Sequence, residues 1–320
     1  MTPYRRWRNV GVHRALISVA FACITVAGCS DAAPRRVASG AVGADAPELP
    51  RVGPIGPERY TGPQGRVGQF VVKCTYSHSG ENDPIVHFGH AGHSHRHDFY
   101  GAVGTDATST PEQLETQKTT CDKEFDTAAY WHPSLYDGNT VIRPRSIAAY
   151  YRAAPGVNPE SVQPFPFGLA MIAGDAAATE AQIGGAVGWV CGASTDLQAG
   201  PPDCPASAPL HLELTFPDCW DGRHLDSADH RSHVAYSARG KCPVSRPVPM
   251  PQLMMSVNFG VSGTGHDLRL ASGSVVTAHG DFLNAWTPAG LAREVNACIH
   301  RDVVCELASN REEEALFQVR

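Results

Sequence analysis

Over much of the chain, apolar and polar residues alternate in short runs bounded by Gly, Pro, Asn or Ser. That is the period of half-buried strands. The clearest run is Leu210-His211-Leu212-Glu213-Leu214-Thr215-Phe216, whose apolar side chains leave one face and whose polar ones leave the other. Gln69 to Cys74, Asp83 to Gly89, Ser146 to Arg152, Gly168 to Ala173, Val187 to Cys191, Val234 to Ser237, Leu253 to Phe259 and Leu268 to Leu270 read as further strands. Helical periodicity is scarce. Thr110-Pro111-Glu112 starts one helix, with Thr as N-cap and Pro at the first helical position, running to about Thr119. Leu291 to Ile299 reads as another, late helix, and Tyr130 to Tyr136 is aromatic and turn-rich. The pattern predicts a mostly β chain: a disulfide-braced β-sandwich or jelly-roll-like domain with long loops and one or two short helices.

The N-terminus changes the picture. Arg5, Arg6, Arg8 and Arg14 precede an apolar run from Ala15 to Ala27, followed by Gly28-Cys29. A basic region, a short apolar region and small residues before the cut mark an export signal, too short to be a membrane span. A Cys directly after the small residues is the pattern of lipidation at Cys29; an ordinary cut near Ala32 or Ala33 is the alternative. The expected organisation is a lipoprotein signal over 1–28, a lipidated Cys and Ala/Pro/Gly tether over 29–66, one β-rich domain over 67–310 and a charged tail over 311–320. The protein is then exported and faces the extracytoplasmic side, touching the membrane only through its lipid.

Ten Cys are present. Setting aside Cys23 and Cys29 leaves Cys74, Cys121, Cys191, Cys204, Cys219, Cys242, Cys298 and Cys305, an even number in an exported chain, which implies four disulfides. Sequence does not fix the pairing; the simplest joins neighbours. The absence of any CxxC pair argues against a thiolate zinc site. Net charge is −6 with no basic stripe, which argues against a nucleic-acid partner.

Candidate chemistry lies in three polar clusters. His95 and His97 stand two apart, so on a strand their imidazoles leave the same face, and His279 and Asp281 repeat the spacing. Asp229, His230 and His233 form the third, in a polar stretch running from Cys219 to His233. Imidazole with carboxylate suits a divalent transition metal (Zn, Mn, Fe or Cu), with His95, His97, His230, His233 and His279 as candidate ligands. The alternative is a buried His–Asp hydrogen-bond network that holds loops in place. A cupin match fails, because no Glu follows the His-x-His at the required distance. There is no Gly-x-Ser-x-Gly elbow and no phosphate loop.

Several motifs occur in order: Asp83-Pro84-Ile85-Val86, Ser94-His95-Arg96-His97-Asp98-Phe99-Tyr100-Gly101, Phe167 to Gly174, Cys219-Trp220-Asp221-Gly222, Leu225 to Tyr236, and His279-Gly280-Asp281-Phe282-Leu283-Asn284-Ala285-Trp286. Together they resemble the family of domain of unknown function 1996, found in exported bacterial and fungal proteins. The resemblance implies an exported domain and supplies no reaction. His87, His90, His93 and His224 lie outside the motif positions that carry it and are weaker candidates.

Without a metal, His and Asp would act as base and acid. Carboxylates such as Asp229 and Asp281 suit glycoside cleavage, and a His base with Tyr100 or Tyr236 suits elimination on a uronic-acid polymer. Trp131, Trp220, Trp286, Tyr130 and Tyr136 would stack on sugar faces, unless they are core; Asn284 would bond a ligand or brace a turn. The expected activity is therefore hydrolysis or lysis of an envelope polysaccharide or glycan, with catalysis by His95, His97, Asp229, His230, His233, His279 and Asp281. The alternative is a non-catalytic metal- or glycan-binding lipoprotein.

Overall fold

A computed structural model describes residues 61–62, 65–66, 68–182 and 186–305. The export signal, Cys23, Cys29, nearly all of the tether and the charged tail lie outside these residues. The described part is mostly β, with one helix of seven or more residues. Ten strands build two five-stranded antiparallel sheets: β1 (Gln69–Thr75), β2 (His78–Gly80), β3 (His97–Gly101), β4 (Ala129–Pro133), β5 (Ser146–Arg152), β6 (Ala170–Gly174), β7 (Val187–Cys191), β8 (Leu210–Thr215), β9 (Gln252–Asn258) and β10 (His279–Leu283). One sheet has the order β6-β10-β4-β3-β2 and the other β7-β8-β9-β5-β1.

The sheets face each other across one apolar core. Phe70 and Val72 of β1, Ile147 and Tyr151 of β5, Leu212 and Leu214 of β8 and Met255 of β9 share it with Tyr100, Tyr130, Met171 and Phe282 of the other sheet. Strict alternation along β8 and β5 follows, since each buries one face only. Strands β3, β4 and β10 are buried at every position. Their second face carries a separate apolar cluster in which Phe99, Trp131, Ala170, Ile172 and Leu283 lie under Ile85 and Leu114. Leu114 comes from α1 (Pro111–Glu115), where the Thr110 N-cap and Gln113 form a capping box.

Several sequence expectations change. Asp83 to Gly89 is a string of turns instead of a strand, because Asp83 Oδ1 accepts from the Ile85 and Val86 amides and bends the chain. Tyr130 to Tyr136, read as turn-rich, holds most of β4, at the centre of its sheet, and the start of the short strand Leu135–Asp137. The first helix is shorter than expected. The late one starts earlier, as α2 (Pro288–Glu294), and widens into a π turn over Val295–Ile299.

Disulfides join Cys74–Cys121, Cys191–Cys204, Cys219–Cys242 and Cys298–Cys305, the neighbour pairing. Cys219–Cys242 closes a ring around the polar stretch. Among the described residues no helix is long and apolar enough to cross a membrane.

Candidate metal centre on the outer face of a sheet

Strand register builds the centre. His97 on β3 pairs with Pro133 on β4, and Trp131 on β4 pairs with Asp281 on β10. Continuing that register two residues brings His279 level with Pro133. His97 and His279 thus flank one proline on the outer face, where no side chain larger than a pyrrolidine ring separates them. His95, just before β3, completes the group: His95, His97 and His279 each offer a ligand nitrogen, and these lie within 4.8 Å of one another. His95 Nε2 is 3.1 Å from His279 Nε2, and the His95 and His97 ring centres are 4.2 Å apart.

Gly280 explains how β10 serves core and site at once. It points between the sheets, where a Cβ would come within 2.6 Å of Leu214 Cδ1 and 2.9 Å of Met255 Cε. A glycine at that position lets the sheets approach while its two neighbours, His279 and Asp281, point outward.

Backbone carbonyls set the tautomers. His97 Nδ1 donates to Asn82 O at 2.9 Å, and His279 Nδ1 donates to Thr277 O at 2.8 Å. A carbonyl only accepts, so both rings carry their proton on Nδ1 and present a lone pair at Nε2. His97 Nε2 is buried and has no partner. Burial holds the imidazoles neutral. It lowers His97 well below the usual histidine range, with help from His95 and His279. It also lowers His279 to about 4, aided by His95 and His132, and His95 to about 4, aided by His87.

Asp281 adds a carboxyl two residues along the same face. Burial, reinforced by Asp83, raises it well above the usual carboxylate range, and its Oδ2 is buried without a partner. Burial likewise raises Asp83.

The polar stretch lies over the same sheet. Ala170 of β6 donates its amide to Leu225 O, and His233 Nε2 donates to Ala170 O at 2.7 Å. His233 Nδ1 is 2.9 Å from Ser227 Oγ, so both of its ring nitrogens are engaged in fixing the loop. His230, in left-handed backbone at φ 55°, places Nδ1 2.8 Å from Asp226 Oδ2. Asp229 accepts from the Arg231 and Ser232 amides and from Ser227 Oγ, a loop-capping arrangement. The histidine group is therefore His95, His97 and His279, with His230 and His233 outside it; the difference from the sequence expectation arises because Ala170 O of β6 and Ser227 engage both nitrogens of His233, and Asp226 holds Nδ1 of His230. Arg231 does reach the centre electrostatically, acting on both His279 and Asp281.

The remaining candidates sit elsewhere. Tyr100 is on the inner face, its hydroxyl 2.9 Å from His132 Nε2. Tyr236 is exposed and donates to Thr215 O. Asn284 braces a turn, donating to Pro166 O and accepting from the Trp286 amide. Trp131, Trp286 and Tyr130 are core, and Trp220 donates to His224 O. A hollow of about 170 Å³ lined by Pro201, Asp203, Leu210, His266 and Val275 contains none of the site residues. Sequence reading missed Asn82 O and Thr277 O, because a backbone carbonyl leaves no mark in residue type.

Two imidazoles whose Nδ1 protons are held by backbone carbonyls, with a third whose Nε2 lies 3.1 Å from one of them, fit a divalent transition metal, and three protein ligands would leave a fourth position for water or substrate. No curated protein and no solved structure matches the chain. A family model matches residues 83–286, which spans the resembling motifs from Asp83 to Trp286 and all three histidines. The match covers more than half of the chain, which belongs to the family described as Domain of unknown function (DUF1996).

Proposed function

We propose that the domain is a metal-dependent enzyme of the cell envelope, with His95, His97 and His279 as ligands and a glycan as the first substrate class to test. The observation that carries the reading is the pair of Nδ1–H groups of His97 and His279 committed to backbone carbonyls, which leaves two Nε2 lone pairs beside His95, the ligand nitrogens lying within 4.8 Å of one another. A metal bound there would supply Lewis acidity and lower the pKa of a bound water. The chain's own residues would supply the rest. Asp281 Oδ2 can hold a proton on the same face, and Arg231 contributes positive charge from the overlying loop. Four disulfides support an exported, oxidising location.

The aromatic support for sugar binding is thinner than sequence suggests, because Trp131, Trp286 and Tyr130 are core. Trp220 and Tyr136 are the partly exposed aromatics left of that set. A non-catalytic metal-binding role is the second reading, favoured by the depth of His97 and His279. Elemental analysis of the purified protein, followed by turnover on a glycan panel with and without chelator, separates the two. Stoichiometric metal without turnover on any glycan supports the second reading, and folded protein that takes up no metal removes both.

A further inference from the structure

The loop ahead of the centre carries a repeat that the three-histidine site does not use. Residues 87–93 read His87-Phe88-Gly89-His90-Ala91-Gly92-His93, two copies of a turn with Gly at the same place. His90 N donates to His87 O at 2.9 Å and His93 N to His90 O at 3.3 Å, and Gly89 and Gly92 have φ of 77° and 78°. Only glycine adopts that backbone without strain, so each turn brings the chain round to the next histidine. Pinning at several points fixes the loop: His87 N donates to Asp83 O, Gly89 N to Ala107 O and Gly92 N to Glu81 O.

The result is a pair of exposed imidazoles held together. The ring centres of His90 and His93 are 5.3 Å apart, tilted by 42°. Two imidazoles bound at a tetrahedral angle to one ion, each about 2.0–2.1 Å from it, have ring centres about 5 Å apart. In the buried centre the ring centres lie 4.2 Å (His95–His97), 5.0 Å (His95–His279) and 5.8 Å (His97–His279) apart, a range that brackets this pair. The His90–His93 contact is not a hydrophobic one, since both rings lie in solvent. His93 stands two residues before His95, which places the repeat next to the buried centre in the chain.

We infer that His90 and His93 form a second, surface site for a first-row transition cation, separate from the buried histidines and next to them. Two imidazoles, with solvent completing the coordination, bind such a cation more weakly than three preoriented ones. The site therefore captures metal reversibly. It does not require the buried centre to be a metal site.

The test uses the full-length protein with Zn²⁺ as the probe, by equilibrium dialysis and elemental analysis. The expected result is two classes of binding, with His90→Ala/His93→Ala losing the weaker class and keeping the tighter one. Both residues are exposed, so the double variant keeps its fold; its melting temperature checks this. His279→Ala is the converse control, expected to lose the tighter class and keep the weaker. The inference is overturned if the double variant binds as many ions as the wild type with the same affinities. Retention of wild-type binding by His279→Ala would overturn the buried centre instead, leaving the surface pair to stand on its own variant.

Discussion

His95 and His279 lie 184 positions apart in the chain and place their Nε2 atoms 3.1 Å apart, with His279 as the acceptor because its proton is committed to Thr277 O. His95 therefore donates from Nε2 in the metal-free protein. On binding an ion it must either give up that proton or turn its ring. The other two rings arrive with their lone pairs ready. In the proposed metal site His95 would thus be the adjustable ligand.

Nitrogen NMR of the imidazoles checks this division directly. On addition of Zn²⁺, His97 and His279 are expected to keep the Nδ1–H tautomer, while His95 changes its signals most. Equal changes at all three rings would contradict it. In parallel, His97→Ala or His279→Ala should weaken the tight metal class by at least ~100-fold, a ligand loss exceeding the 10–100-fold typical of second-shell partners.

Acid should destabilise the metal-free domain over a defined window. Burial depresses His279 to about 4 and lowers His97 well below its ordinary range, against a histidine value of 6.5. Between those limits the unfolded chain binds more protons than the folded one. Stability is then complete above about pH 6.5 and falls as pH drops toward 4. His279 alone contributes on the order of 3 kcal/mol to that fall. The difference in melting temperature between the wild type and His279→Gln, measured in chelator across pH 7 to 4, should show it, the wild type losing more stability toward pH 4 than the variant.

Asp281 predicts the opposite sign. Its pKa is raised by burial, so the folded protein holds a proton that the unfolded chain releases above the ordinary aspartate value of 3.8. That group costs stability as pH rises through this region. Asp281→Asn removes the cost, and the metal-free variant should melt higher than the wild type at pH 7. The gain should vanish below the unfolded pKa. A gain independent of pH would point to packing instead.

Gly280→Ala tests the junction between core and site. A Cβ 2.6 Å from Leu214 Cδ1 forces the sheets to separate or the leucine to shift, at a cost of about 1–3 kcal/mol. Because His279 and Asp281 flank the position, metal affinity should fall with stability. A variant that melts lower yet binds metal as before would show the outer face to be insulated from the packing beneath it.

The sandwich was legible wherever a strand buries one face, as in Leu210–Thr215 and Ser146–Arg152, because alternation is then written into the residues. It was not legible for Ala129–Pro133, which is buried on both faces and so shows no alternation, and whose Pro133 reads as a breaker. Asp83 defeated the strand reading of its segment through a side-chain capture of two amides. In the site, the His-x-His and His-x-Asp spacings were visible in the sequence. The separation of His233 from the cluster was not, since it depends on Ala170 O and Ser227, which only the fold brings within reach.

One step along β10 separates a residue of the core from a residue of the site: Gly280 faces Leu214 and Met255, while His279 and Asp281 face outward. A slip of one residue against Ala129–Pro133 would exchange the two faces, driving an imidazole between the sheets and disassembling the triad. Tight metal uptake would therefore report on strand registration itself. During refolding from denaturant, the return of stoichiometric metal binding would count molecules whose central strands have paired correctly, separately from those that have merely regained β-structure.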